Sequence, residues 1–231
     1  MYERRQTVEQ RRSHRKSRVA VRRELLREPA AYQLEDVVHA RDFQIRRVGT
    51  DRVQRRAFSR FGVKPTQHRN AAEALLRRLA KHGDIPSVNT LVDIGNLISI
   101  RHAMPVAAFD LAGIGSITVR FATGDERFTD LGSSDGVFPD PGEVIFVDDD
   151  DVVSARRWCW RQSAQSATSQ ATVEALIVVE GHHDTAAQDV EAALGDLASL
   201  LAAHQPNSLA RSYVLSPANP RTGTREGAEG P

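Results

Sequence analysis

Ala175–Leu–Ile–Val–Val–Glu180 is the stretch that most restricts the fold. A continuous apolar run of this length reads as a strand, and without polar alternation it needs cover on both faces. It therefore belongs in the centre of a sheet. The segment after it supplies one covering layer. Val190, Leu194, Leu197 and Leu201 recur at helical spacing, and Thr185 and Gln188 read as a T-x-x-Q capping box at the helix start.

The segments before it supply the rest. Phe61–Thr66 reads as a turn. A helix follows in which Ala71, Leu75 and Leu79 share a face, with Asn70 as cap, Glu73 at N3, Gly83 at C′ and Pro86 beyond. A second helix over 88–103 is ended by Pro105. It is apolar but carries Asp93 and Asn96, three residues apart and so on one face. Polar groups in an apolar wall suit a small-molecule pocket. Ile117, Val119 and Phe121 then alternate with Thr118 and Arg120 as in a half-buried strand. Thr123–Glu126 reads as a hairpin turn, Glu143–Asp148 as a buried strand and 156–162 as a further strand. This order predicts an α+β layered fold, a central mixed β-sheet flanked by helices.

Charge divides the chain. The net formal charge is +1 over 231 residues, yet residues 1–30 hold ten Lys/Arg against four Glu. A basic arm on a mildly acidic body fits an anionic partner such as nucleic acid, or a solvated tail with none. We therefore divide the chain into a basic arm with its lead-in over 1–52, a folded unit over 53–205 and a flexible tail over 206–231. The one cysteine, Cys159, excludes an intramolecular disulfide and a cysteine zinc site. No apolar run reaches the ~20 residues of a membrane span. No secretory h-region is present, so a cytoplasmic protein without a membrane partner is expected.

Three tempting clusters carry less. His182–His183–Asp184 holds metal-ligand types, but neighbours in a strand-to-helix turn diverge. Asp148–Asp151 lacks the spacing and glycine of a calcium loop and reads as a solvated loop. Cys159 reads as a small buried side chain. No metal and no organic cofactor is expected.

Several motifs, in order, resemble the B3/B4 module of the phenylalanyl-tRNA synthetase β subunit, an editing domain that hydrolyses wrongly charged tRNA. Asp93 and Asn96 stand in its V-D-x-T-N, and Phe109 and Asp110 in its A-F-D. Gly115–Arg120 matches its G-x-I-x-V-R strand, Gly124–Glu126 with Phe128 its G-E-x-F turn, and Ile177–Glu180 its V-L-L-E strand. The chain is also similar to small free-standing B3/B4 proteins through Phe61–Thr66, Glu73–Arg78, Leu91–Asn96, Pro141–Val144 and Trp158–Gln162. It departs at Ala107, where the synthetase module has a pocket His, and at Gly95, where it has Thr. The Trp/Arg segment replaces its Gly-Gly loop. The motifs of the aminoacylating domain are absent, so a complete ligase is not expected.

The resemblance implies a tRNA or aminoacyl-tRNA partner, or the free amino acid, and an ester hydrolase acting in trans. The alternative is a non-catalytic RNA- or small-ligand-binding module on the same fold. Asn96 and Glu180 are the implied catalytic residues. Asn96 could orient a water or hold the substrate, or bond a neighbouring loop. Asp93, Ala107, Arg120, Trp158, Arg161 and Gln162 are the candidate substrate-binding residues. In a strand, Trp158 and Trp160 would share one face and Arg157, Cys159 and Arg161 the other. The indoles then form a base-stacking platform beside phosphate-binding arginines, or they fill the core.

Overall fold

The computed structural model describes residues 19–22, 71–114, 116–220 and 222. Asn70, the Phe61–Thr66 turn, Gly115 and most of the basic arm lie outside the described residues. Three helices are described: α1 (Ala71–His82), α2 (Thr90–His102) and α3 (Ala186–His204). The strands are β1 (Val19–Arg22), β2 (Val106–Asp110), β3 (Thr118–Phe121), β4 (Phe128–Thr129), β5 (Gly136–Val137), β6 (Val144–Val147), β7 (Val153–Arg156), β8 (Arg161–Gln162), β9 (Glu174–Val179) and β10 (Leu209–Ser212).

Local sequence explains the helix ends. Gly83 takes φ +76° and its N–H donates to the Leu79 carbonyl at 2.9 Å, closing α1 as the C′ glycine should. Asn89 caps α2 by accepting the Val92 N–H at 3.0 Å. At its other end Ala103 turns left-handed at φ 50°, and Pro105 forbids continuation. α3 begins without the expected capping box. Thr185 makes no side-chain cap bond, and its hydroxyl donates instead to Asp189 Oδ2 at 2.8 Å.

The α+β class is as expected, with the strands divided between two sheets and a ribbon. Sheet A has the order β10-β1-β9-β2, sheet B the order β3-β6-β7-β8, and β4 pairs with β5. Each of these strand ladders is antiparallel. β9 is interior to sheet A, as its apolar run requires. β3 pairs with β6 rather than β4, so Thr123–Glu126 is a turn but not a β3–β4 hairpin. β10 lies within the stretch expected to be a tail.

The layers follow from alternation. Ala108, Ile177 and Val179 face α2 and α3, where they meet Ile94, Ile98, Val190, Leu194, Leu197 and Leu201. Their neighbours Phe109 and Val178 point the other way, onto Val144, Phe146, Ala155 and Trp158 of sheet B and its turn. The outer face of sheet B carries Ile145, Val147 and Val153 with Ala122 and Phe128. The order is therefore helices, sheet A, sheet B, ribbon. Gln162 ties the sheets together: its Nε2 donates to the Ala108 carbonyl at 2.7 Å and to the Ser166 carbonyl at 2.9 Å.

Candidate active site at the end of strand β9

The β2–β9 ladder sets Ala107 opposite Val178 on the face turned to sheet B. One residue further, the Glu180 N–H donates to the Pro105 carbonyl at 3.1 Å, so the ladder geometry continues past β9. Glu180 then alternates onto the face of Val178 and Ala107. It is 2% exposed. His182 meets the Trp158 ring edge-on, with centroids 4.6 Å apart and an interplanar angle of 86°. Trp158 is 1% exposed and packs in the inter-sheet core. One end of the inter-sheet wall thus gathers Ala107, Trp158, Glu180 and His182.

The stretch 156–162 is not a strand. β7 ends at Arg156, and residues 157–160 form the turn of a β7–β8 hairpin in which Arg156 pairs with Arg161. Arg157 and Trp158 take φ +47° and +65°. The two indoles consequently do not share a face. Trp158 folds inward, while Trp160 lies half-buried with the Arg157 and Arg161 guanidiniums 5.2 and 4.9 Å from its ring centre.

Below the turn, Glu143 Oε1 accepts from Arg156 Nη2 at 2.7 Å and from Arg157 Nε at 2.9 Å. Its Oε2 accepts from Arg156 Nε at 3.0 Å. A buried carboxylate shared by two guanidiniums fixes the turn against β6. Arg157 also bonds Asp140 at 3.2 Å and, with Glu143, holds that carboxyl below its usual range.

Other expected site residues lie apart. Asp93 is buried and anchors the loop before α2, accepting the Ser87 hydroxyl at 2.5 Å and the Val88 N–H at 2.9 Å. Asn96 is half-buried, about half a turn around α2 from Ile94 and Ile98. It therefore points away from the side of α2 that packs on sheet A. Arg120 pairs across β3–β6 with Ile145, so it sits on the outer face of sheet B, away from Trp158. There it bonds Glu126 and, at 2.7 Å, Asp151. Gln162 spends both amide protons on the Ala108 and Ser166 carbonyls. Arg161 has a side chain 48% exposed and a long 3.7 Å ion pair to Asp130.

Glu126 is strongly perturbed. Burial pushes its pKa up, but the N–H groups of Thr123, Glu126 and Gly124 and the Arg120 guanidinium outweigh that and hold it at about 2, from 4.5. The acidic run folds into a turn: Asp148 accepts the N–H groups of Asp150 and Val152 at 3.0 and 2.8 Å. His183 Nε2 lies 2.6 Å from Asp189 Oδ2, turned to α3 while His182 turns to Trp158.

His182 was not among the expected site residues, and Trp160 was expected to share a strand face with Trp158. A signal for His182 existed, since it shares parity with Val178 and Glu180 in the stretch that follows β9. The turn that parts Trp160 from Trp158 was obscured, because it is made by two left-handed non-glycine residues.

Comparison with known proteins adds the family. The phenylalanine–tRNA ligase beta subunit of Shewanella oneidensis is 32% identical over 87 residues, 37% of this chain and 11% of that protein. The same subunit from Onion yellows phytoplasma is 37% identical over 73 residues, 32% of this chain and 9% of that protein. The chain thus spans about a tenth of these relatives. A crystal structure of an N-terminal fragment of the phenylalanyl-tRNA synthetase β-subunit from Pyrococcus horikoshii is similar at a TM-score of 0.43 and 16% identity. That match covers 55% of this chain and 43% of the fragment. No helix among the described residues is long and apolar enough to cross a membrane. Residues 53–203 match the family model described as the B3/4 domain, well over half of the sequence, and the chain belongs to that family.

Proposed function

We propose that this B3/4 chain binds the aminoacylated end of tRNA and hydrolyses a mischarged ester in trans. The observation that carries the reading is Glu180. It is a carboxylate buried at the end of the central strand, on the same wall as Ala107, Trp158 and His182. A carboxylate shielded from bulk water can take a proton from an attacking water. Water adds to the ester carbonyl, the tetrahedral intermediate expels the ribose hydroxyl, and the proton taken by Glu180 ends on that hydroxyl. Trp158 and His182 bound the space beside the carboxylate. The kinship with phenylalanine–tRNA ligase beta subunits supports a tRNA-linked substrate.

The test is release of amino acid from a panel of correctly and wrongly charged tRNAs. Glu180→Gln is expected to abolish release with the protein still folded. Release unchanged in that variant refutes the assignment. Asn96→Ala is run beside it: loss there as well brings α2 into the reaction, and retention confines the chemistry to the inter-sheet wall.

Ala107 favours a second reading, a non-catalytic binding module, because a methyl group offers neither donor nor base on that wall. Binding of tRNA without release of any amino acid, weakening steeply with salt as the basic residues 4–27 imply, would establish it.

A further inference from the structure

The proposed hydrolysis uses one carboxylate, yet the same wall carries an imidazole fixed from two sides. Gly181, between Glu180 and His182, lies tight against the start of α3: a Cβ there would fall 2.8 Å from Ala186 Cβ and 3.3 Å from Val190 Cγ2. The residue after His182 is clamped to the same helix, with His183 Nε2 2.6 Å from Asp189 Oδ2. From the other side the Trp158 ring meets His182 edge-on. Val178 packs in the cluster that holds Trp158, so Glu180 stands between two residues of its own parity that both reach that indole's surroundings. Two residues span roughly 7 Å of extended chain, over which a glutamate and a histidine side chain on one face can meet. Glu180 is 2% exposed, and low local polarity strengthens any hydrogen bond it makes.

We propose that Glu180 and His182 share a proton, and that His182 relays it from the attacking water to the leaving ribose oxygen. The relay rests on the proposed function; the shared proton does not. Water gives a proton to the Glu180 carboxylate as its oxygen bonds the ester carbon. The carboxyl passes that proton to the neutral imidazole. When the bond from carbon to ribose oxygen breaks, its electron pair stays on that oxygen, and the imidazolium supplies the proton from its other nitrogen. Glu180 and His182 end as they began. The remaining ionisable groups of the neighbouring segments are engaged elsewhere or titrate elsewhere. His183 and Asp189 hold each other, Arg157 is bonded to Glu143 and Asp140, and Asp184 is exposed. The Cys159 thiol packs on the Trp158 cluster and belongs to a class that titrates above an imidazole.

Both tryptophans of the chain lie in the 157–160 turn, and an imidazolium touching an indole quenches its emission. The emission of the full chain is followed from about pH 5 to about pH 8, the range of an imidazole. A quenching step of one proton is expected, and it should vanish in His182→Gln. In Glu180→Gln its midpoint should fall by about one pH unit, a roughly tenfold weaker hold on the proton, because the neighbouring anion is gone. Release of amino acid from charged tRNA is measured over the same range. In the parent, kcat should rise with pH through that midpoint. His182→Gln should remove the rise and lower kcat on the order of a hundredfold, with KM little changed. If His182→Gln does not fold, the midpoint in Glu180→Gln decides.

A midpoint unmoved in Glu180→Gln, or a quenching step that survives in His182→Gln, overturns the shared proton. An unchanged kcat in His182→Gln overturns the relay. A midpoint that moves as expected, without hydrolysis of any charged tRNA, overturns the catalytic reading and leaves the shared proton standing.

Discussion

Glu126→Gln is a substitution whose cost can be worked from geometry. The carboxylate closes the turn after β3. Oε1 accepts the Thr123 N–H at 2.8 Å, the Thr123 hydroxyl at 3.1 Å and the Arg120 guanidinium, while Oε2 accepts the Gly124 N–H at 3.0 Å. Glutamine keeps the shape but turns one acceptor into a donor facing donors. The pKa displacement from 4.5 to about 2 sets a ceiling, about 3 kcal/mol at 1.36 kcal/mol per unit. Water at the rim of the turn screens part of it, so we expect a loss of about 2 kcal/mol at neutral pH.

The sign follows from linkage. The folded pKa lies below the unfolded one, so the contribution is complete above 4.5 and is lost as pH falls toward 2. The assay is urea unfolding of parent and variant at neutral pH and at steps down to about pH 2.5. The stability gap should be open at neutral pH and narrow through the acid range, because a protonated Glu126 resembles the amide. A gap that stays constant with pH would refute the electrostatic account and leave only a packing effect.

Gly181→Ala should destabilise by roughly 1–3 kcal/mol in a thermal melt, because a Cβ there falls 2.8 Å from Ala186 Cβ and 3.3 Å from Val190 Cγ2. Gly95→Ala should raise the melting temperature, since its Cβ meets only Val106 Cγ1 at 3.4 Å and the helix gains up to about 1 kcal/mol. Asn89→Ala should cost about 1–2 kcal/mol in urea unfolding, as it removes the α2 cap and the 3.0 Å bond from Nδ2 to the Thr168 carbonyl.

Those elements were legible in the sequence whose side chains speak through period and caps. α1, α2, the α3 stripe and the interior placement of β9 all follow from apolar spacing with Gly83 and Pro105 as punctuation. Features set by distant partners were not legible. The 157–160 turn contains no glycine or proline; it exists because Glu143, thirteen and fourteen residues upstream, holds Arg156 and Arg157. The α3 capping box has the right residue types, yet Asp189 draws away the Thr185 hydroxyl. Of the site, the position of Glu180 follows from strand parity past β9, whereas Trp158 faces the same inter-sheet core from a turn that the strand reading of 156–162 missed. Asn96 and Arg120 diverge from it because helix phase and strand parity turn them to other faces.

The two hydrogen bonds that Gln162 donates have a consequence beyond tying sheet B to sheet A. β2 is the outermost strand of sheet A, so one side of its backbone would offer unpaired groups to any passing extended chain. Gln162 occupies the Ala108 carbonyl, the Asp110 N–H donates to the Ser166 carbonyl at 3.0 Å, and Phe109 forms a bridge with Ala167. The segment 162–167 thus caps that border. It blocks strand addition by a second molecule, and loosening it would express itself as aggregation in concentrated solution.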